Sequence, residues 1–397
     1  MEKWKECTIS DIGTVVGGAT PSTKVPENYI EGRIAWITPK DLSTFHSRYI
    51  EHGERNITER GLHTCSTTLL PPNTILFSSR APIGYIAIAK NALCTNQGFK
   101  NIIPNTNIHP LFLYYLLKNN KDRIENMGSG TTFKEVSAAV MNSISIRIPE
   151  KIQIQQKITK LLGSLDDEIE LNRQINANLE QQAQAIFKSW FIDFEPFGGT
   201  MPDDWQKACL LDIADYTNGL AMQKYRPTSH EQGIFVMKIK ELRQGFCDSS
   251  SELCSNTVNP FYLIHNGDVI FSWSGSLLVD FWCGGLCGLN QHLFKVTSNK
   301  YAKWFYYCWT KFHLHHFITE AADKATTMGH IKRENLAKAE VVIPTKQVYL
   351  TVGDLLGQIY NLMIANRIEI NTLSALRDTL LPKLMSGEID VSKIEID

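Results

Sequence analysis

Residues 158–190 read ITKLLGSLDDEIELNRQINANLEQQAQAIFKSW, and residues 352–384 read VGDLLGQIYNLMIANRIEINTLSALRDTLLPKL. In each stretch, mostly apolar residues recur at alternating steps of four and three, which places them along one face of a helix. A seam of this kind over several heptads predicts two long helices that pair as a coiled coil. At 1.5 Å per residue, a helix of about 40 residues would be about 60 Å long. The seam positions are Ile158, Leu162, Leu165, Ile169, Asn172, Asn176, Leu179, Ala183, Ile186 and Trp190, then Val352, Leu356, Ile359, Met363, Asn366, Ile370, Leu373, Arg377, Leu380 and Leu384.

Two asparagines, Asn172 and Asn366, occupy the same seam position near the middle of their stretches. If the helices run antiparallel, the two amides come close together at the centre of the pair. A buried Asn pair costs stability but penalises a slipped register, because a shift would set an amide against Leu or Ile. The sequence leaves a second interpretation open, in which both amides lie on solvent-exposed edges of the seam.

The seam belongs to a larger internal repeat, because the same short segments return in the same order at an offset of about 200 residues. A period of this length is too long for a solenoid unit and indicates a duplicated domain plus helix. The matching segments are Trp4-Lys5 and Trp205-Gln206, Asp11-Ile12-Gly13 and Asp212-Ile213-Ala214, residues 73–78 and 267–272, Asn96-Gln97 and Asn290-Gln291, Thr131-Thr132 and Thr326-Thr327, residues 146–149 and 341–344, Leu161-Leu162-Gly163 and Leu355-Leu356-Gly357, and Asn172-Arg173 and Asn366-Arg367.

The part of each half before the seam has the pattern of mixed strands and helices. Residues 33–38, 74–78 and 83–89 are short runs rich in β-branched and aromatic residues, which favour strands. His109-Pro110 opens a predicted helix through Leu117, and residues 302–317 are its counterpart. The Gly-Ser-Gly-Thr-Thr segment at 128–132 predicts a loop that precedes a short helix.

Composition places the chain among globular proteins, with 43% hydrophobic and 20% charged residues. The formal net charge of -1 neither favours nor excludes nucleic-acid binding, because phosphate binding depends on where Lys and Arg lie. No apolar run reaches the roughly 18 residues of a membrane span, and the acidic N-terminus is unlike a signal peptide. Nine scattered cysteines fit reduced thiols, so we expect a cytoplasmic protein that does not contact membranes.

With this organisation, the chain resembles the specificity subunit of type I restriction–modification enzymes over nearly its full length. No single motif decides the resemblance, but the duplicated order of the motifs is specific. The segments that carry it are Trp4-Lys5, Asp11-Ile12-Gly13, Arg80-Ala81-Pro82-Ile83-Gly84, Asn96-Gln97-Gly98, residues 128–132, residues 146–149, Gln155-Gln156-Lys157-Ile158, Asp166-Asp167-Glu168-Ile169 and residues 380–389.

The resemblance implies an α+β chain with two similar α/β target recognition domains, separated by two long helices that form an antiparallel coiled coil with pseudo-two-fold internal repeat. Its divisions would be a first recognition domain at 1–150, a central spacer helix at 151–193, a second recognition domain at 194–344 with a short linker at 194–204, a C-terminal spacer helix at 345–387, and a tail at 388–397. Each recognition domain of such a protein reads one half of a bipartite DNA site, and the helix pair fixes the gap.

The resemblance also implies partners. Two modification subunits would bind S-adenosylmethionine and methylate adenine in double-stranded DNA, with two restriction subunits that use ATP and Mg²⁺ as optional further partners. No cofactor is expected in this chain itself.

The second repeat departs from the first, since Trp273-Ser274-Gly275-Ser276-Leu277 stands where the first has Arg80 to Gly84. It also lacks a Gln-Gln pair after Pro344. These differences suggest that the two half-sites differ in sequence.

Motifs for chemistry within the chain are weak. Asn259-Pro260-Phe261-Tyr262 lacks the second proline of an adenine methyltransferase motif and is better interpreted as a turn that enters a strand. No Gly-x-x-x-x-Gly-Lys-Ser/Thr loop for ATP occurs. His313, His315 and His316, with Cys283 and Cys287 upstream, lack paired zinc-ligand spacing, so structural roles are favoured and no metal site is expected.

DNA reading requires cations and hydroxyls for phosphate, and forked donors or acceptors for base edges. For each candidate, a solvated surface charge or a loop cap is the alternative, and Asn96-Gln97 and Asn290-Gln291 could equally be turn-forming pairs. The candidates are Lys40, Arg80, Gln97, Lys100, Thr131, Thr132 and Lys134 in the first domain, and Lys224, Arg226, Lys240, Gln291, Thr326, Thr327, Lys332 and Arg333 in the second.

The sequence therefore predicts a non-catalytic DNA-specificity subunit that directs partner enzymes. Two other functions remain as alternatives: a two-armed scaffold that never meets DNA, and a stand-alone DNA-modifying enzyme with an unrecognised site.

Overall fold

The computed structural model describes residues 3–130, 134–323 and 331–392, without the side chains of residues 322 and 323. The chain divides into two compact units. Unit 1 comprises residues 1–170 and 374–397, and unit 2 comprises residues 171–373. The predicted candidates Thr131, Thr132, Thr326 and Thr327 lie outside the described residues.

Unit 1 alternates short strands with short helices and ends on a long helix. Its strands are β1 (Trp4–Thr8), β2 (Gly13–Gly17), β3 (Ile34–Ile37), β4 (Tyr49–Ile50), β5 (Arg55–Ile57), β6 (Ile75–Ser79), β7 (Ile83–Ala89), β8 (Cys94–Thr95), β9 (Lys100–Pro104) and β10 (Ser145–Pro149). Its helices are α1 (Ile9–Ile12), α2 (Pro39–Leu42), α3 (Glu59–His63), α4 (Pro110–Asn119), α5 (Lys121–Asn126), α6 (Ala138–Ser143) and the first part of α7 (Ile152–Phe191).

These strands form three sheets. The largest has the order β2-β9-β6-β7-β4, a second has the order β5-β3-β8, and β1 pairs with β10 alone. Most neighbours are antiparallel, but β3 runs parallel to β8 and β4 runs parallel to β7. The predicted strands at 33–38, 74–78 and 83–89 and the predicted helix after His109 are confirmed as β3, β6, β7 and α4.

Unit 2 repeats this plan. Its strands are β11 (Gln206–Cys209), β12 (Asp215–Asn218), β13 (Ile234–Met237), β14 (Leu253–Cys254), β15 (Leu263–Ile264), β16 (Val269–Ser272), β17 (Leu278–Phe281), β18 (Cys287–Leu289), β19 (Leu293–Thr297) and β20 (Glu340–Ile343). Its helices are the rest of α7, α8 (Leu210–Ile213), α9 (Ile239–Gln244), α10 (Lys303–Asp323), α11 (Arg333–Lys338) and most of α12 (Lys346–Ser386).

The sheets of unit 2 confirm the duplication. The orders are β12-β19-β16-β17 and β14-β13-β18-β15, and β11 pairs with β20 as β1 pairs with β10. The parallel β3–β8 pair likewise returns as the parallel β13–β18 pair. Asn259 accepts a hydrogen bond from the Phe261 N–H at 2.9 Å just before β15, so the predicted turn into a strand is confirmed.

The helices α7 and α12 are the two predicted long helices, with 40 and 41 residues. In unit 2, Asn172 contacts Glu369 and Asn176 contacts Asn366. The residue numbers along α7 therefore rise while those of their partners on α12 fall, so the helices run antiparallel. In unit 1, Asp166 contacts Arg377 in the same sense. All of the predicted seam positions are buried or half-buried, which confirms the heptad pattern.

The predicted pairing of Asn172 with Asn366 is wrong in its partner. The Asn366 side chain donates to Oδ1 of Asn176 at 3.0 Å, and the Asn172 side chain donates to Glu369 at 3.1 Å. The antiparallel register is therefore shifted by about one helical turn from the register in which Asn172 would face Asn366. The three amides are at most 8% exposed, so the solvent-edge interpretation is also wrong.

The core of unit 1 draws on both ends of the chain. Buried residues of β6, α4 and the start of α7 form one cluster with Leu381, Leu384, Met385 and Val391 from the C-terminal segment. Lys157 also donates to the Ser392 carbonyl at 2.9 Å. Gly387, with a φ of 78°, lies so close to Trp4 that an added Cβ would lie 2.7 Å from the indole nitrogen. The N-terminal strand and the C-terminal segment are thus packed as one layer.

The helix α12 also passes a length and composition test for a membrane span, because an 18-residue window has a mean hydropathy of 1.2 and at most two charged residues. Its seam residues Val352, Leu356 and Met363 are nevertheless buried in the core of unit 2, and the same face carries the buried amide of Asn366. We therefore interpret α12 as a helix that buries its seam face in the core.

Candidate nucleic-acid interface

The loops that carry Gln97 and Gln291 are built on the same turn in both units. Oδ1 of Asn96 accepts the Gly98 N–H at 2.8 Å, and Oδ1 of Asn290 accepts the His292 N–H at 3.2 Å. Asparagine forms this turn readily because its side chain imitates a backbone carbonyl. The two asparagines are therefore turn-forming residues, as one of the two interpretations of the sequence expected, and the following glutamine is left at the surface in unit 1 and half-buried in unit 2.

Four of the candidates in unit 1 come together at one place. Arg80 follows β6, Lys100 begins β9, and Gln97 and Lys134 lie on loops beside them. Backbone hydrogen bonds join these segments, since the Ser79 N–H donates to the Gly98 carbonyl at 2.7 Å and the Val136 N–H donates to the Ser79 carbonyl at 3.0 Å. We call Arg80, Gln97, Lys100 and Lys134, together with Glu135, the unit 1 cluster.

Within the unit 1 cluster, Glu135 lies between two cations. Its Oε1 accepts from Nζ of Lys100 at 3.0 Å, and its Oε2 lies 3.7 Å from Nη1 of Arg80. Oε1 of Gln97 accepts from the Thr20 hydroxyl. Sequence analysis missed Glu135, because its partners lie 35 and 55 positions away and no local pattern connects them.

Lys40 and Lys240 occupy matching places on α2 and α9 and share a similar environment. Lys40 forms an ion pair with Glu54 at 2.7 Å, and this carboxylate raises the pKa of Lys40. Lys240 lies 3.4 Å from Asp248 and 2.5 Å from the Ser250 hydroxyl. Hydrogen bonds from Ser250 lower the pKa of Asp248 to about 2. Both lysines are exposed cations, as phosphate contacts require.

The structure places Ser274, and not Trp273, where unit 1 has Arg80. The Ile331 N–H donates to the Trp273 carbonyl at 2.9 Å, as the Val136 N–H donates to the Ser79 carbonyl, so Trp273 corresponds to Ser79. The predicted correspondence of Trp273 with Arg80 is therefore wrong by one position, and the offset of 194 between residues 73–78 and 267–272 already gives Ser274. The two loops differ in conformation after this point. Ala81-Pro82 is a cis peptide bond, and no cis bond occurs at the matching place among the described residues of unit 2.

Unit 2 brings a different set of side chains to the matching surface. The Ser274 hydroxyl lies 3.2 Å from Nδ1 of His292, and the Gln291 amide lies 3.3 Å from Nε2 of the same ring. The candidates Lys332 and Arg333 begin α11, directly after the Ile331 that bonds to Trp273. His292 and Ser274 were missed by the sequence prediction, although their offset from Gly98 and Arg80 would have located them.

The remaining candidates of unit 2 lie on another part of its surface. Lys224 ends a 3₁₀ turn, and Arg226 lies 3.7 Å from Glu252. Glu252 also accepts from Lys238 at 2.6 Å, and chiefly this contact lowers the pKa of its carboxyl. Arg226 and Lys238 therefore share one carboxylate beside the β14–β13 edge.

Two of the side chains considered for zinc have other contacts. Nε2 of His313 lies 2.8 Å from the Glu340 carbonyl oxygen, and the Cys283 thiol donates to the Phe281 carbonyl at 3.8 Å. Burial raises the pKa of the Cys283 thiol to about 11, which disfavours the thiolate that zinc needs. Within residues 3–130, 134–323 and 331–392, no three such side chains are grouped for a metal ion.

The model of the "Type I restriction modification DNA specificity domain" matches the chain twice, over residues 1–181 and 202–372. The chain belongs to the type I restriction–modification DNA specificity family. Its two copies of the domain correspond to the two halves of the repeat, and the role of this specificity protein is DNA sequence specificity.

Known relatives of this specificity protein match along nearly the whole chain. The MjaIX specificity subunit of Methanocaldococcus jannaschii is 35% identical over 98% of this chain and 94% of the relative. The HindI specificity subunit of Haemophilus influenzae is 26% identical over 98% and 100%. A crystal structure of a type I restriction–modification S subunit from M. genitalium aligns over 96% of both chains with a TM-score of 0.58 and 16% identity, which supports the fold.

Proposed function

We propose that this specificity protein reads an asymmetric, bipartite DNA site, one half with each recognition domain, and that the helix pair sets the spacing of the half-sites. One observation carries the proposal. The two domains keep the same backbone turns at Asn96 and Asn290 but differ in the polar side chains beside them, with the half-exposed Arg80 in unit 1 and the exposed His292, next to Ser274, in unit 2. A conserved scaffold with divergent polar surfaces is what two different base sequences require.

The chemistry, in this proposal, belongs to partner subunits in the cytoplasm. Two modification subunits bind S-adenosylmethionine and methylate adenine, and two restriction subunits with ATP and Mg²⁺ are optional additions. The support is indirect: the relatives are named as specificity subunits, that is, as one part of an enzyme assembly. The chain itself acts as a non-catalytic DNA-binding subunit.

Mapping methylated adenines in the native genome tests the bipartite site. We expect one motif with two defined halves and a fixed gap, which disappears when this gene is deleted. The complex of the chain with its modification subunits should then bind a duplex with this motif at least about 10³-fold more tightly than a scrambled duplex. Equal binding to both duplexes would contradict the proposal, and methyl transfer by the chain alone would favour the stand-alone enzyme.

A further inference from the structure

The backbone fixes the position of Glu135 in the unit 1 cluster. Its N–H donates to the Ser129 carbonyl at 2.9 Å, and its carbonyl accepts the Ser129 N–H at 3.1 Å. The next residue, Val136, is fully buried and bonds to Ser79 at the end of β6. The carboxylate therefore projects from a tied segment beside β6, directly next to Arg80.

The two cations beside Glu135 have different freedom. The Lys100 side chain is only 13% exposed and also lies 3.4 Å from the Ser79 hydroxyl, so its ammonium group is committed to the interior of the cluster. The Arg80 side chain is 37% exposed, and its Nη1 faces Glu135 across 3.7 Å. A guanidinium has five N–H donors in a rigid fork. While Nη1 faces the carboxylate, Nε and Nη2 of Arg80 have no hydrogen-bond partner among the described residues and can donate to a ligand.

The carboxylate itself is poorly suited to contact DNA. Both of its oxygens face cations within the cluster, and an uncompensated negative charge would be repelled by phosphates. With Lys100 and Arg80 around it, the group of three carries one net positive charge. An arginine held by a carboxylate loses less conformational entropy when its fork binds the O6 and N7 acceptors of guanine.

We propose that Glu135 is a positioning residue, which holds the Arg80 guanidinium in the orientation that reads a guanine within the half-site of unit 1. This inference rests on the proposed function of the chain. In unit 2, Ser274 and Phe294 stand at the places of Arg80 and Lys100, so the arrangement is specific to unit 1. Loss of the carboxylate therefore affects one base pair in one half-site and leaves the other half unchanged.

The experiment measures binding of the full chain, assembled with its modification subunits, to the native site and to every single base-pair substitution of that site. Arg80→Ala first identifies the base pair that Arg80 reads, as the position where discrimination falls about tenfold or more. Glu135→Gln should lower discrimination at the same base pair. Since Glu135→Gln removes one negative charge, the affinity of the variant for random duplexes should rise, and this affinity should depend more steeply on salt.

Two further variants sharpen the test. If Glu135 acts through Arg80, the double variant Arg80→Ala, Glu135→Gln should discriminate no worse than Arg80→Ala alone. Glu51→Gln is the matched control, because Glu51 is an exposed partner of Lys90 in the same unit and its loss changes the charge equally. It should leave discrimination at every base pair unchanged.

Three outcomes would overturn the inference. Unchanged discrimination in Glu135→Gln would show that Glu135 is only a surface charge. Parallel loss of specific and random binding, with a lower melting temperature, would show a structural role. Additive losses in the double variant would show that Glu135 acts independently of Arg80. If the assembly with the wild-type chain binds all duplexes equally, the proposed function fails as well. This result is obtained before any variant is made.

Discussion

The two units differ most sharply at one equivalent point, where the long helix of each repeat packs on the helix before it. In unit 1, Asp166 of α7 accepts from the Tyr115 hydroxyl of α4 at 2.6 Å and from Arg377 at 2.7 Å. In unit 2 the matching pair is Tyr360 of α12 and Cys308 of α10, at 3.3 Å. At this point one repeat therefore has a buried charge network and the other a neutral contact, so the two repeats share the packing site but not the side-chain chemistry there.

The unit 1 network depends on all of its members because each is removed from water. Asp166 is 4% exposed, and the Arg377 side chain is 13% exposed. The Arg48 guanidinium is a further buried charge of unit 1. Its Nε lies 3.0 Å from Glu170, and it forms another ion pair with Asp167. A buried ion pair adds little net stability compared with an apolar pair, but a broken one is costly, because the remaining charge has no partner.

The largest expected effect is therefore that of Asp166→Ala. The change leaves Arg377 and the Tyr115 hydroxyl buried without their acceptor, and we expect a loss of about 3–5 kcal/mol in the free energy of unfolding. Chemical denaturation of the full chain measures it. Asp378→Ala removes a neighbouring exposed carboxylate and should cost less than about 1 kcal/mol.

A triple substitution tests whether the neutral packing of unit 2 can replace the charge network of unit 1. Tyr115→Cys, Asp166→Tyr and Arg377→Ala together copy the neutral arrangement of unit 2, where Ala183 corresponds to Arg377. The triple variant should be more stable than Asp166→Ala, because neither Asp166 nor Arg377 is then left buried without its charged partner. A triple variant that is less stable than the single one would show that the two packing sites are not interchangeable.

Acid should distinguish the two units next. Burial by itself would raise the pKa of Asp166, but Lys118, the Tyr115 hydroxyl and Arg377 outweigh it, so the pKa is lowered. A lowered folded-state pKa stabilises the fold above the unfolded-state value of about 3.9, and this stabilisation is lost as pH falls below it. Hydrogen exchange of peptides from each unit between pH 6 and pH 2 should show unit 1 opening first, and Asp166→Asn should reduce the difference.

A smaller effect is expected at the first turn of α4 and α10. In unit 1 the His109 N–H donates to Oε1 of the buried Gln155 at 2.9 Å, and in unit 2 the Ala302 N–H donates to the Tyr349 hydroxyl at 2.7 Å. Gln155→Ala leaves a half-buried N–H without a partner and should cost about 1–3 kcal/mol. Tyr349→Phe leaves the N–H of the exposed Ala302 to bond with water, so this change should cost less than about 1 kcal/mol. Equal losses would contradict this difference in burial.

The smallest effect expected for a buried side chain concerns the neutral contact itself. Tyr360→Phe removes only a hydroxyl that lies against the Cys308 thiol, a weak hydrogen-bonding group, and should cost about 0.5–1.5 kcal/mol. Thermal unfolding should detect a shift of a few degrees. A loss as large as that of Asp166→Ala would remove the distinction between the two arrangements.

The backbone plan of this molecule was predictable because it depends on local periodicity and on duplication. The four-and-three spacing from Ile158 onward predicts α7 and its seam, and the offset between Asn96 and Asn290 predicts two equal turns. The partner of Asn366 was not predictable, because a register error of one turn preserves the same apolar pattern. Glu135 and Asp166 also escaped prediction, since their partners are distant in sequence and lie close only after folding.

The site was predictable in part for the same reason. The repeat indicated which loops carry the candidates, and Arg80, Gln97, Lys100 and Lys134 do lie together. The sequence could not show that Arg80 is the more exposed cation and Lys100 the more buried one, because this depends on how Lys100 packs against β6.

The packing of the C-terminal segment into unit 1 has a consequence for synthesis. Leu381, Leu384 and Met385 belong to the same buried cluster as residues of α4 and β6. A ribosome makes those partners more than 250 residues earlier. The recognition domain that is translated first therefore completes its apolar core only after residues 381–391 have been made.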